Sequence, residues 1–260
     1  MVINKIEFPI YEVMIALSVI VGALYILVSL KNDNVLSKKI VLFFILFFVC
    51  SILGGKLYTF VMYGFKHSFF NSSLSAYGGL VGVFFASYFY EKIFFTDGKV
   101  IKYTTLSLPL IYSFTKIGCF FTGCCYGIPY DGIFSVTYPH VMNRPLLPIQ
   151  LIEVFVFFSL FIFCNTNKNR KDIKYITFLF IAIIKFFVEF LRYDQVYKFI
   201  NPNQLFSVIL FLITLIIYYK NKWFFYPIHP PPPFWVLVPL TVNAVSPVTP
   251  YIVRFPLLLV

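Results

Sequence analysis

The chain has 260 residues and a formal net charge of +11, yet only 12% of its residues are charged and 60% are hydrophobic. Mean hydropathy is +0.86. A soluble globule carries about 25% charged residues, so this chain lacks the polar surface to dissolve in water, and it is too apolar for disorder. Bilayer is the solvent that fits. The positive charge then belongs to basic loops facing anionic lipid, not to nucleic acid. The 35 Phe and 19 Tyr fit an AT-rich coding bias as well as any function. Five Cys in a chain of this kind do not make a secreted disulfide framework.

A helix needs about 20 apolar residues to cross the hydrocarbon core. Seven stretches qualify, roughly residues 8–30, 40–63, 76–95, 103–121, 148–164, 173–191 and 204–219. The first follows only Lys5, lacks a small-residue cleavage site, and reads as a retained helix. Loop charge orients the set. Lys31, Lys38 and Lys39 fill the first loop, Lys92, Lys99 and Lys102 the third, and Lys168, Arg170, Lys171 and Lys174 the fifth. The alternate side carries only Lys5, Lys66, Arg144 and Lys198. The positive-inside rule therefore predicts an all-α integral membrane protein with seven transmembrane helices and the N-terminus outside. The second, fourth and sixth loops would face outward.

After Trp223 the composition changes. Nine of the 16 Pro fall between Pro227 and Pro256, and Arg254 is the only charge. Residues 1–222 thus read as one transmembrane domain, and 223–260 as an irregular Pro-rich tail. A tail so unlike the rest fits a non-native or out-of-frame extension. There is no internal repeat.

Polar residues within the spans are the informative ones, because an intramembrane charge is costly unless paired or hydrated. Lys185, Glu189 and Arg192 follow i, i+4, i+7 and share one face of the sixth helix. The bland alternative is an ion pair with Arg192 reaching to the interface. Lys56, after Gly54-Gly55, sits inside the second span and could also snorkel. Tyr77-Gly78-Gly79-Leu80-Val81-Gly82 opens the third span with a GxxxG packing motif, where Tyr77 could equally be an interfacial belt aromatic. Lys116-Ile117-Gly118-Cys119 through Gly123-Cys124-Cys125-Tyr126-Gly127 breaks the fourth helix, and irregular backbone at membrane depth lines a cavity. The spacing C-x4-C-C is not a usual zinc pattern. A disulfide or small apolar packing are the alternatives for these cysteines. Gln150 and Glu153 open the fifth span, where helix capping competes with a site role.

Taken together these segments resemble the prolipoprotein diacylglyceryl transferase family of bacterial membrane enzymes. Tyr11, after Phe8-Pro9-Ile10, resembles the family's first-helix tyrosine, and Gly54-Gly55-Lys56-Leu57 its Gly-Ala-Arg-Leu. The stretch from Tyr77 to Gly82 resembles His-Gly-Gly-Leu-Ile-Gly. Residues 116–127 resemble the signature Arg-Leu-Gly-Asn-Phe-x-x-Gly-Glu-x-x-Gly. Pro148-Ile149-Gln150-Leu151-Ile152-Glu153 resembles Pro-Ser-Gln-Leu-Tyr-Glu, and the run from Lys185 to Arg192 resembles Arg-Phe-x-x-Glu-Phe-x-Arg. The match covers roughly residues 8–219 and leaves the tail outside.

The resemblance implies transfer of the diacylglyceryl group of phosphatidylglycerol to the lipobox cysteine of a prolipoprotein, recognised with its signal peptide. It implies no metal and no organic cofactor. It places the protein in the bacterial plasma (inner) membrane, multi-pass, with the active site toward the outer leaflet. Lys116, Lys185 and Arg192 would hold the phosphate, and Lys56 would add to the substrate site. Tyr77 would handle a proton, and Gln150, Glu153 and Glu189 would orient the cations. Gly78, Gly79, Gly123 and Gly127 would let backbone approach lipid, Tyr11 would line the cavity, and Cys119 and Cys124 stand where the family has Asn and Glu. Three family arginines are lysines here and the histidine is Tyr77. Lysine keeps the charge but loses the bidentate fork. These departures leave open a relative with another lipid or acceptor, an inactive copy, or a transporter built on broken helices.

Overall fold

The computed structural model describes residues 1–3, 9–35, 38–62, 69, 75–193 and 201–224. Seven helices occupy the seven apolar stretches: α1 (Ile10–Asn32), α2 (Ile40–Met62), α3 (Ala76–Phe94), α4 (Lys99–Thr122), α5 (Ile149–Thr166), α6 (Ile173–Glu189) and α7 (Pro202–Phe224). Four of them, α1, α2, α5 and α7, are long and apolar enough to cross a membrane by length and composition. The other three do not meet both conditions, α6 for one having only 17 residues. The Pro-rich tail and Lys5, Lys66 and Lys198 lie outside the described residues.

The bundle is built around α4, which packs on α1, α3, α5 and α6, while α2 pairs with α3 and α6 with α7. Polar residues in α4 remain buried because they return their hydroxyls to the helix backbone. Thr105 donates to the Ile101 carbonyl, Ser107 to Thr104 and Ser113 to Leu110, each at 2.8 Å. Pro109 lies inside α4, a placement tolerated where neighbouring helices cover the freed carbonyl. One core joins Ile26, Leu30, Phe43, Tyr90 and Tyr103. A second joins Leu106, Phe157, Leu160 and Ile173. The outward faces carry large apolar side chains, with Phe155 74% exposed and Phe187 63%. Surfaces of that character belong in lipid.

Helices α2 and α3 cross closely because three glycines meet there. A Cβ on Gly54 would run into the Gly78 carbonyl, one on Gly78 into the Gly54 carbonyl, and one on Gly82 into the Cys50 carbonyl. The GxxxG motif is thus a packing device.

One element departs from the all-α expectation. Between α4 and α5 the chain forms an antiparallel hairpin, β1 (Val136–Tyr138) with β2 (Met142–Leu146), pairing Val136 with Leu146 and Tyr138 with Met142. The first residues add to it, since Ile3 N–H donates to the Thr137 carbonyl and Thr137 N–H to that of Met1, both at 2.9 Å. Residues 127–129 tie the same loop to Arg192 and Leu146 by isolated bridges. The N-terminus, the fourth loop and the end of α6 therefore share one end of the bundle. At the opposite end Lys99 meets Asp33 at 3.7 Å, and Tyr103 donates to Asp33 Oδ2 at 2.8 Å. That is the lysine-rich end.

Candidate functional site

The N-terminal turns of α3, α5 and α7 and the C-terminal turns of α4 and α6 converge at the hairpin end. Two fully buried carboxylates, Glu153 and Glu189, organise what they bring. Glu153 Oε2 pairs with Lys116 Nζ at 2.5 Å and Oε1 with Lys185 Nζ at 3.4 Å. Tyr112 donates to Glu153 Oε1 at 2.7 Å and accepts from Lys185 at 2.7 Å. Lys185 also stands 5.1 Å over the Tyr77 ring and 4.9 Å over that of Tyr112, favourable positions for a cation. Buried charges of this kind persist only when paired and hydrogen-bonded.

Glu189 is held differently. Its Oε1 accepts from Asn203 Nδ2 at 2.7 Å, from Asn201 Nδ2 at 3.1 Å and, more distantly, from Arg192 at 3.4 Å. Tyr58 extends the chain by donating to Asn203 Oδ1 at 3.1 Å. The three charges Lys185, Glu189 and Arg192 do share a face, but Lys185 turns to Glu153 and only Glu189 and Arg192 pair along the helix.

Capping does not explain Gln150 and Glu153. Pro148 precedes α5 with no side-chain cap. Gln150 instead donates to the Cys124 carbonyl at 2.7 Å, and Glu153 faces the lysines. Both side chains project inward because they lie one turn apart on the same face of α5.

The break after α4 is a C-terminal capping motif. Gly123 is left-handed at φ 68°, its N–H donates to Phe120, and Cys124 N–H donates back to Cys119 at 3.1 Å. Gly123 lies against the Tyr138 ring, and Gly127 against the Leu147 and Leu191 carbonyls. Gly78, Gly123 and Gly127 thus let chain approach chain. Gly79 has ordinary contact with Ser51. Tyr138, buried beneath the break, donates to the Phe120 carbonyl at 2.9 Å, and burial pushes its hydroxyl above the ordinary value. Tyr11 packs across Gly118 from α1, within electrostatic reach of Cys119, Cys124, Cys125 and Lys116. All five cysteines are free thiols, so no disulfide forms among them. Lys56 is half-buried near the end of α2 and is not one of the two lysines on Glu153.

Among the described residues, buried side-chain polar atoms without a hydrogen bond are Tyr77 Oη, Thr104 Oγ1, Gln150 Oε1, Glu153 Oε2, Glu189 Oε2 and Arg192 Nε. All but Thr104 belong to this cluster, and Glu153 Oε2 has its ion pair. The Tyr77 hydroxyl is near Ser207, whose own proton goes to the Asn203 carbonyl at 2.9 Å. Orphaned buried groups are costly, and here they concentrate in one place. Three cations and two carboxylates leave the cluster one positive charge in excess. An apolar groove of about 190 Å³ runs between α6 and α7, lined by Ala182, Ile183, Phe186, Phe187, Val208 and Phe211. Ser207 stands on its wall, beside Tyr77.

Tyr58, Tyr112, Asn201 and Asn203 had no place in the sequence reading. Tyr112 lies one turn before Lys116, a spacing that places both on one face. Asn201-Pro202-Asn203 is a helix-start signal that gave no hint of its carboxylate partner.

A family model described as prolipoprotein diacylglyceryl transferase matches residues 1–220. The phosphatidylglycerol–prolipoprotein diacylglyceryl transferase 2 of Clostridium perfringens is 29% identical over 125 residues, 44% of this chain and 49% of that relative. The chain thus spans about half the length of that relative and most of two others. The phosphatidylglycerol–prolipoprotein diacylglyceryl transferase of Wigglesworthia glossinidia brevipalpis is 24% identical over 76% of this chain and 84% of its own. That of Finegoldia magna is 24% identical over 82% and 90%.

Proposed function

The chain belongs to the prolipoprotein diacylglyceryl transferase family, and on that premise we propose that it moves the diacylglyceryl group of phosphatidylglycerol to the lipobox cysteine thiol of a prolipoprotein. The carbon–oxygen bond to phosphate breaks, a carbon–sulfur bond forms, and glycerol phosphate leaves with the electron pair. The thiol proton is given up in the same exchange.

The observation that carries this reading is the single excess positive charge, buried beside orphaned donors at the end of an apolar groove. A phosphodiester brings one negative charge, and its acyl chains bring the apolar surface the groove between α6 and α7 accepts. Lys116 and Lys185 are already committed to Glu153. Arg192 and Lys185 each stand 3.4 Å from their carboxylate, but Lys185 also donates to Tyr112 at 2.7 Å while Arg192 has an unpaired Nε–H, so Arg192 takes the phosphate, with Lys185 adding field from behind the Tyr77 ring. Arg192 keeps the guanidinium fork that the lysines lack. A phenol is un-ionised at neutral pH and can donate its proton in a hydrogen bond. Tyr77 therefore donates to the departing phosphate oxygen rather than abstracting a proton. Gln150, Glu153 and Glu189 orient the cations. Tyr11, Lys56, Cys119 and Cys124 line the approach to them.

In this reading all seven helices cross the plasma membrane, the N-terminus is outside, and the hairpin end faces the outer leaflet. The lysine-rich opposite end supports that orientation. Complementation in a bacterium depleted of its own transferase tests the function. Radiolabelled palmitate is followed into a reporter prolipoprotein, with and without residues 225–260. Incorporation in thioether linkage is the expected result. Its absence from a well-inserted protein would leave the relative with another acceptor, or the inactive copy.

A further inference from the structure

The cysteines at the end of α4 only line the approach to the phosphate site, yet the fold gathers three of them. Cys124 and Cys125 are separated from Cys119 by a full helical turn and a break. The glycine cap reverses the chain, hydrogen-bonding Cys124 N–H to the Cys119 carbonyl at 3.1 Å, and Cys125 is held left-handed at φ 56°. That conformation is strained for a residue other than glycine. The three sulfurs then lie within 4.8 Å of one another, Cys119 buried and the other two half-buried. Three thiolates bound tetrahedrally at about 2.3 Å stand about 3.8 Å apart, so small side-chain rotations close the set. Lys116 and Arg192 lie within electrostatic reach of Cys125 and favour thiolates there.

We propose that Cys119, Cys124 and Cys125 form a three-thiolate zinc site with its fourth position open to the acceptor thiol. Three protein ligands and one open vertex is the arrangement of zinc sites that act on a substrate. On binding, the three protein thiols release their protons to solvent. The acceptor thiol releases its own on coordination, because a metal-bound thiol is deprotonated outright. The metal would hold the nucleophile as thiolate, while Arg192 and Tyr77 hold the phosphate. This part rests on the transferase reading. It departs from the expectation of a metal-free site: the C-x4-C-C spacing is unusual for zinc only while the chain is imagined straight.

The test uses the full chain in detergent with Co2+ as probe and a short peptide carrying one lipobox cysteine. The expected result is one Co2+ per chain, displaced by Zn2+, with thiolate charge-transfer absorption for three sulfurs that rises to four when the peptide is added. Cys124→Ser and Cys125→Ser weaken Co2+ binding by at least about 100-fold, with the melting temperature measured alongside, whereas Cys50→Ser leaves it unchanged. No thiolate band in the reduced protein, or a band indifferent to both substitutions, overturns the metal site. A three-sulfur band that the peptide does not move overturns its role toward the acceptor. Failure of diacylglyceryl transfer with an intact, peptide-responsive cobalt spectrum counts against the transferase reading and not against the metal.

Discussion

The two buried carboxylates show how similar residues serve different ends. Glu153 is saturated: two lysines and a tyrosine hydroxyl converge on it. Glu189 concentrates its partners on one oxygen, leaves the other bare, and holds its arginine at 3.4 Å. The first arrangement spends its cations on structure. The second leaves a guanidinium able to trade partners. A buried cation with a full complement of ligands is scaffold, and one with an orphaned N–H is where an anion can bind.

Removing the charges tests that contrast first. Glu153→Gln strands two buried lysines without a counter-charge and should cost about 3–5 kcal/mol. Glu189→Gln removes one partner of a part-exposed arginine and should cost about 1–3 kcal/mol. Unfolding of both variants in detergent gives the order; equal losses would erase the distinction. Arg192→Gln leaves Glu189 buried without its cation and should cost about 1–3 kcal/mol, and it should lower turnover of the folded protein by about 100–1000-fold, the usual effect of losing a donor to developing charge. Tyr77→Phe deletes a hydroxyl that has no partner, so stability holds or rises. Turnover should fall about 100-fold, and a rate within twofold of wild type would remove Tyr77 from the reaction. Tyr112→Phe breaks the bridge between Lys185 and Glu153 and should cost about 1–3 kcal/mol, read by the same unfolding assay. The smallest effect belongs to the tail: deleting residues 225–260, beyond the matched region, should leave transfer within about twofold.

The helices were legible because hydropathy is a one-dimensional property of the chain, and seven apolar stretches became seven helices within a few residues. The shared face of Lys185, Glu189 and Arg192 was legible for the same reason, since helical periodicity fixes it. Pairing across the bundle was not. Nothing local ties Glu153 to Lys116, 37 positions earlier, and helix spacing alone paired Lys185 with Glu189 when its carboxylate is Glu153. Tyr112 and Asn203 were missed because a tyrosine and an asparagine in apolar sequence have many uses until a carboxylate is seen beside them. The hairpin escaped because strands of three and five residues, the second interrupted by Pro145, carry no alternating pattern long enough to read.

The central claim is that the loosely held arginine, in a cluster one charge positive, seats a lipid phosphodiester. The most direct measurement reconstitutes the purified chain in phosphatidylglycerol vesicles with a reporter prolipoprotein and counts labelled diacylglyceryl on the acceptor cysteine. The account predicts thioether formation by the wild type and at least a 100-fold loss in Arg192→Gln that remains folded in the vesicles. Equal transfer by the two proteins would contradict it.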